Sequence, residues 1–541
     1  MPGWNFADIW ETVAQQVPDA PAQIQGGRRI TWADFDRRAN GVARALLDAG
    51  LQEQDKVAQY LYNAPEYLES MFAAFKAGLA PVNTNYRYLD DELLYLWDNA
   101  DAACVVFHGT FVERIENIRA RLPKVEVWLW VDDGSGPCPS WATPYEAAAE
   151  AGTSEPVQGP WGRSGDHLNL LYTGGTTGMP KGVMWRQDDL VRNLVGSLNP
   201  AVREQDPDAD LSVIREAVTG PGLVGLPACP LMHGTGCFTQ LIVLSGGGAT
   251  VTLEGRTFDV EELLATVERE GVNTIAIVGD AFAKPMVRAL DANPGRWDIS
   301  SLMIISSSGV MFSEAAKQGL LAHHPGMMII DAFSSSEAVG MGQSVSTAGG
   351  TAATAKFMVG EHTKVLTDDG REVRPGSDET GRVAVGGWQP IGYYKDEAKT
   401  AATFITFEGQ RYSVPGDYAR VEADGTITLL GRGSVCINTG GEKVYPEEVE
   451  EVLKTIEGIR DAVAVGVPDE KFGEAITAVV ELAPGEALDE PAVIGHVKAK
   501  LAAYKAPKRV LPIDTIGRAP NGKVDYKRLR GWAAEQLGVE V

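Results

Sequence analysis

Hydrophobic positions fall into two spacings along most of the chain. KVAQYLY from Lys56, APVNTNY, DAACVVF, KVEVWLWV, NTIAIVG, LMIISSSG and MMIIDAF are short apolar runs that read as buried strands. Between them, FDRRANGVARALLDAGL and EYLESMFAAFKAGL carry apolar residues at helical spacing. Thr31 stands where the first of these helices needs an N-cap, and Gly50 marks its end. Helices alternating with buried strands predict an α/β architecture with largely parallel sheets.

After about Gly381 the texture changes. GRVAVGG and GDYARVEADGTITLLGR read as short strands with DG turns, the pattern of an antiparallel meander. PEEVEEVLKTI then reads as a helix, AVAVGVPD and ITAVVEL as strands, and PAVIGHVKAKLAAY as a helix. GRGS supplies small and polar residues suited to a hinge, so the expected domains are residues 1–431 and 432–541. The expected fold is thus a large N-terminal α/β domain of parallel-rich sheets flanked by helices plus a β-meander, followed by a small α+β C-terminal domain.

Composition adds exclusions. At 541 residues, 44% hydrophobic and 22% charged, the chain has ordinary globular usage and more than one core is expected. Its net charge of -25, from 73 acidic against 48 basic residues, argues against general attraction to nucleic acid or anionic membrane. A local positive pocket can still hold an anion. The five cysteines are scattered with no CxxC pair, which suits a reducing compartment. MPGWNFADIWETVAQQ lacks the basic and apolar regions of a signal peptide, and no apolar run reaches about 18 residues. A cytoplasmic protein without integral membrane association is expected.

The stretch LLYTGGTTGMPKGVMW, Leu170 to Trp185, breaks an apolar run into glycines and threonines ahead of Lys181. Gly174, Gly175 and Gly178 can turn N–H groups inward, Thr173, Thr176 and Thr177 add hydroxyls, and Lys181 adds a positive charge. Such a loop can cradle phosphate. It is not a Walker A loop, because Lys181 is followed by Gly182 where that motif needs Ser or Thr. Alone, it could equally be a flexible surface loop.

TGGTTGMPKG closely resembles the phosphate loop of the adenylate-forming superfamily, which holds acyl-CoA synthetases, luciferases and peptide-synthetase adenylation domains. Gly174 stands where the family usually has Ser. Further motifs follow in family order over nearly the whole chain. PLMHGTG is similar to the substrate-side motif and implies an acyl pocket at Met232, His233 and Gly234, with His233 shaping the pocket rather than acting as a base. SSSGVMF, with Ser308 and Gly309, resembles the wall bordering adenine. DAFSSSE occupies the place of NxYGxTE, so Asp331, Ala332, Phe333, Ser334 and Ser336 are implied nucleotide contacts, with Phe333 for Tyr, Ser334 for Gly and Ser336 for Thr. Glu337 matches the family's Mg²⁺ ligand, with Thr173 beside it. YSVPGD ends in Asp417 at the ribose position, Pro415 replacing the usual Thr, and Arg432 follows at the family's distance. Ser434 falls at the hinge. Gly440, Gly441 and Lys443 in INTGGEKVYPEEVE are implied contacts of coenzyme A, and Lys523 in RAPNGKVDYKRLR matches the catalytic lysine.

The resemblance implies two steps. A carboxylate attacks the α-phosphorus of ATP to give acyl-adenylate and pyrophosphate, and the small domain then swings about the hinge so that the coenzyme A thiol forms the thioester and releases AMP. Lys523, Glu337 and Thr173 are the implied catalytic groups, with ATP, Mg²⁺ and coenzyme A as co-substrates and cofactor. The attacking acid is already ionised at neutral pH, so no general base is required. GVMWRQDDL and the segment from Asn199 to Pro227 resemble actinobacterial acyl-CoA synthetases acting on fatty acids or steroid side-chain acids. Gly234, Gly236 and Gly246 to Gly248 would leave room for a bulky apolar acid, or are merely turns. A non-catalytic acyl or nucleotide sensor, transfer of the acyl group to another acceptor, and assembly as a homodimer all stay open.

Overall fold

A computed structural model describes residues 3–173, 179–204, 211–310, 312–439, 442–469, 472–519 and 522–539, with backbone only at 434, 442 and 443. Two eight-stranded sheets carry most of the fold. In one, the strands Leu168–Thr173, Ala80–Asn83, Lys56–Tyr60, Ala102–His108 and Val127–Val131 lie parallel, and Lys181–Arg186 returns antiparallel on Leu168–Thr173. In the other, Met328–Ser335, Ile304–Ser308, Thr274–Ile277, Val224–Pro227, Ala249–Val251 and Pro21–Gln25 are parallel neighbours, with Ala338–Ser346 antiparallel at one edge. Of these, Lys56–Tyr60, Ala80–Asn83, Ala102–His108, Val127–Val131, Thr274–Ile277, Ile304–Ser308 and Met328–Ser335 are the runs whose apolar character predicted burial.

Helices Phe6–Gln16, Trp32–Asp48 and Pro65–Ala77 share one large apolar core with residues of both sheets. Trp10 packs at 5.2 Å from Phe72 and 5.9 Å from Phe35, and its indole N–H donates to Ser245 Oγ at 3.1 Å. Thr31 caps its helix by accepting from the Asp34 N–H at 3.1 Å, and that helix ends at Asp48, two residues ahead of Gly50. Pro65–Ala77 is buried along its whole length, so its charges must be paired where they lie. Glu69 accepts from Arg38 at 2.7 Å, and Lys76 donates to Glu11 and Asp36 at 2.5 and 2.7 Å.

The meander begins before Gly381: Thr363–Leu366 already pairs antiparallel with Thr380–Val385, and Lys356–Phe357 with Ile427–Arg432. Asp417–Val421 pairs with Ile427–Arg432 so that Asp417 stands opposite Arg432. The next strand, Ile437–Thr439, joins a different sheet with Glu442–Val444, Ile459–Asp469, Gly473–Leu482 and the parallel Arg509–Pro512. Past Lys523 the chain forms the helix Tyr526–Leu537, which buries Leu529, Ala533 and Ala534 against Val463, Val465 and Val479. Among the described residues no helix is long and apolar enough to cross a membrane.

Candidate active site

Strand pairing puts Thr173 opposite Lys181, at the two ends of the glycine and threonine loop. Gly174, Gly175, Thr176, Thr177 and Gly178 lie outside the described residues. Lys181 Nζ is ion-paired with Asp396 and stands 5.9 Å from the Tyr393 ring centre. Asn83 fixes the strand that feeds this loop. Its amide donates to the carbonyls of Tyr172 at 2.9 Å and Met232 at 2.7 Å, and its oxygen accepts from the Tyr172 N–H at 2.6 Å. One buried side chain thus ties the strand Leu168–Thr173 to the Met232–Gly234 segment.

Met232 is buried, and His233 forms the N-cap of the helix Gly234–Ser245. Burial, with Lys523 and Arg87 nearby, pushes the His233 imidazole down to about 3, so it lines the site as a neutral ring. The glycines around it divide. A Cβ on Gly234 would meet Leu171 and Phe238 at 3.5 and 3.6 Å, which is ordinary contact. On Gly236 it would lie 2.6 Å from the Pro230 carbonyl, and on Gly248 2.3 Å from that of Leu223. Gly246 to Gly248 form the turn that ends the helix, and of the glycines that the sequence left open as room or as turns, Gly236 and Gly248 are close backbone packing.

Met328–Ser335 lies beside Ile304–Ser308, with Ser308 opposite Ala332. Alternation buries Asp331 and Phe333 and leaves Ala332 and Ser334 half-buried. Asp331 is ion-paired at 3.1 Å with the fully buried Lys317; burial pushes its carboxyl up to about 6 although Lys317 pulls the other way. The Phe333 ring packs 5.4 Å from Phe357, and Ser334 Oγ accepts from the Gly340 N–H at 3.1 Å. Gly309, at φ 93°, follows on the neighbouring strand's end.

The hairpin tip at Ser336 and Glu337 is held from three sides. Trp185 Nε1 donates to the Ser336 carbonyl at 2.9 Å, Ser413 Oγ to the Glu337 carbonyl at 2.7 Å, and the Tyr393 hydroxyl to Glu337 Oε1 at 2.8 Å. Glu337 itself is buried. Arg432 Nε donates to Asp417 Oδ1 at 3.3 Å, while Asp417 Oδ2 is buried without a hydrogen-bond partner among the described residues.

Lys523 arrives from the small domain. Gly522, at φ 71°, lets its loop lie so close that a Cβ there would be 2.8 Å from Val310 and 3.3 Å from Val278. Burial, then the Arg432 guanidinium, lowers the Lys523 ammonium below the usual lysine range, while Glu337 and Asp417 act to raise it. Segments far apart in sequence therefore bring Glu337, Asp417, Arg432, Lys523 and His233 into one electrostatic neighbourhood. The backbone of Ser434 lies in the turn Gly433–Val435 and that of Lys443 in the strand Glu442–Val444; their side chains, and Gly440 and Gly441, lie outside the described residues.

A model of the AMP-binding enzyme family matches residues 10–394, and a model of the AMP-binding enzyme C-terminal domain matches 448–523. The chain belongs to the AMP-binding enzyme family. It is 42% identical to the 3-oxocholest-4-en-26-oate–CoA ligase of Rhodococcus rhodochrous, over 99% of this chain and 96% of that protein. It is 41% identical to the medium/long-chain-fatty-acid–CoA/3-oxocholest-4-en-26-oate–CoA ligase of Mycobacterium tuberculosis, over 98% and 96%. Among solved structures, the anthranilate CoA ligase AuaEII with anthranoyl-AMP superimposes with a TM-score of 0.83 at 20% identity, covering 100% of this chain and 99% of that one. ATP-bound MatB from Rhodopseudomonas palustris does so at 0.80 and 24%, covering 99% and 100%. Both show the fold.

In this AMP-binding enzyme, sequence reasoning missed Asn83, Tyr393 and Asp396. Each reaches its partner across a long stretch of chain rather than through a local motif: Asn83 to Tyr172 is 89 positions, Tyr393 to Glu337 is 56, and Asp396 to Lys181 is 215.

Proposed function

We propose that this enzyme is an AMP-forming acyl-CoA synthetase that activates a medium- or long-chain fatty acid or a steroid side-chain acid through an acyl-adenylate. The observation that carries this is the placement of Lys523, delivered by the small domain, within electrostatic reach of Glu337, Asp417 and Arg432. The acid class is taken from the names of the two relatives above, which align over nearly their full lengths.

In the first half-reaction the acid's carboxylate attacks the α-phosphorus of ATP and pyrophosphate leaves. Lys523 and Lys181 provide fixed positive charge toward the phosphates, Asp417 and Arg432 hold the ribose, and the neutral His233 and Gly234 face the acyl chain without competing for a proton. The structure holds no group of three or more His, Cys, Asp or Glu side chains placed for a metal among the described residues. Glu337 as a lone carboxylate suits magnesium, which keeps waters and takes substrate phosphates. Glu337 and Thr173 would hold it, and when bound it would neutralise charge developing on the phosphate oxygens. In the second half-reaction the coenzyme A thiol attacks the adenylate carbonyl and AMP leaves. The chain between the strands Ile427–Arg432 and Ile437–Thr439, with Ser434 in it, is the proposed hinge, and the proposed domains are residues 1–431 and 432–541, a boundary that falls at the last residue of the first strand.

Pyrophosphate release with ATP and Mg²⁺, across acids from acetate through palmitate to a steroid side-chain acid, tests this. Release with long or steroid acids supports it; ATP binding without turnover by any acid points to a sensor instead. Gly522→Ala gives a finer check. The added methyl collides with Val310 and takes up a left-handed conformation that costs about 1–2 kcal/mol, so adenylation should fall about tenfold while thioester formation from supplied acyl-adenylate is retained. Equal rates for adenylation in variant and parent would show that this seat does not matter.

A further inference from the structure

The segment around Gly392–Tyr393 is built as a brace. Its strand pairs antiparallel with Lys181–Arg186, the strand that returns from the phosphate-side loop, with Tyr393 opposite Val183. Ile391 and Tyr394 donate their N–H groups to the carbonyls of Met184 and Gly182 at 2.9 and 2.8 Å, so the pairing continues on both sides. Thr400 Oγ1 accepts from the Tyr393 N–H at 2.9 Å, and a Cβ on Gly392 would lie 2.6 Å from Thr400, so the backbone has no slack here. From this strand the Tyr393 hydroxyl reaches Glu337 Oε1 at 2.8 Å, and three residues on, Asp396 holds Lys181.

A carboxylate has two oxygens and rotates about its last bond. With its backbone already fixed by Trp185 and Ser413 to either side, the remaining freedom of Glu337 lies in its side chain. The phenol hydroxyl occupies one oxygen and leaves the other for a cation.

We propose that Tyr393 is a positioning residue that fixes the Glu337 carboxylate for metal-nucleotide binding, rather than a residue that merely packs the core. This rests on the assignment of Glu337 as the metal-side carboxylate. Tyr393→Phe would keep the ring and its contact with Phe404 at 6.0 Å, and would remove only the hydroxyl. Glu337 would then sample several orientations, and each productive encounter with metal-bound ATP would require it to be ordered again.

The test compares the parent enzyme, Tyr393→Phe and Glu337→Gln by titration calorimetry with a non-hydrolysable ATP analogue, with and without Mg²⁺, alongside thermal midpoints and the Mg²⁺ dependence of pyrophosphate release. For Tyr393→Phe the expected result is analogue binding weakened about three- to tenfold with Mg²⁺ present and unchanged without it. The Mg²⁺ concentration for half-maximal release should rise by a similar factor, and the thermal midpoint should stay within a few degrees of the parent. Binding weakened equally with and without metal, or not at all, overturns the proposal for Tyr393 if Glu337→Gln still shows a metal-dependent loss. If Glu337→Gln shows no metal-dependent loss, the assignment of Glu337 falls, and the proposal with it.

Discussion

Replacing Lys523 with Ala should lower acid-dependent pyrophosphate release by about 10²–10³-fold, the usual cost of removing one preorganised donor from a site where charge develops. The backbone at Gly522 and Lys523 is tied to residues on the other side of the segment. The Gly522 N–H donates to the Ala519 carbonyl at 2.8 Å, the Ala519 N–H to the Lys523 carbonyl at 2.9 Å, and Arg518 donates to the Gly522 carbonyl at 3.0 Å. Arg518 is itself clamped by both oxygens of Asp461 at 2.6 and 2.9 Å. The lost stabilisation is therefore that of a placed charge, which mobile solvent does not supply in a fixed position. Coenzyme A-dependent consumption of supplied acyl-adenylate should change by only a few-fold, because the proposed second half-reaction does not use this lysine. A comparable loss in both halves, or less than about a tenfold loss in the first, would overturn the role.

The same residue sets a pH dependence. Burial and Arg432 lower the folded-state Lys523 value, so its charge is lost at a lower pH than that of a free lysine. Adenylation should decline on the alkaline side earlier than a free lysine would dictate. The Lys523→Ala enzyme should lack that limb, as should the thioester half-reaction. Rate measurements of each half-reaction across neutral to alkaline pH decide it.

The parallel strands were legible because strands covered on both faces must be apolar throughout: Val57 and Ala58, or Val105 to Phe107, show no polar alternation and are buried. Thr31 was legible because an N-cap acts within three residues. The candidate site was legible only where motif order carried it, as for Glu337, Asp417 and Lys523, which the fold brings near one another. What completes the site is set by register and long-range contact. Asp417 opposite Arg432 depends on which residues of two strands align, and a run such as DYARVEADGTITLLGR allows more than one alignment. Asn83 reads locally as one position of the strand run APVNTNY, yet it links carbonyls from two segments distant in sequence, those of Tyr172 and Met232. Gly246 to Gly248 left space and turn both open because glycine reads the same in a pocket wall and in a tight turn.

Asp417→Asn should weaken ATP binding about ten- to a hundredfold, with no loss of stability in the unliganded enzyme. The affinity follows from charge: hydrogen bonds to an ionised acceptor contribute about 1.5–3 kcal/mol each, roughly twice a neutral bond, and the amide also turns one acceptor into a donor. The stability follows from burial. Desolvation is the largest influence on Asp417 and raises its value above that of the unfolded chain, so holding it ionised at neutral pH costs the fold. That cost is absent at low pH, where the acid is protonated in both states, and grows as pH rises from the unfolded-state value through the folded-state value. Arg432 points the other way, since Asp417 is the largest cause holding its guanidinium up. The burial of Asp417 decides the balance, because its side chain is 10% exposed whereas that of Arg432 is 43% exposed and can turn to water. At neutral pH the Asp417→Asn enzyme should therefore show a thermal midpoint equal to or above the parent's, with the difference vanishing in acid. A midpoint clearly below the parent's, with ATP affinity unchanged, would mean that Asp417 serves the fold, and that the unpaired oxygen at its tip is not kept for a ribose.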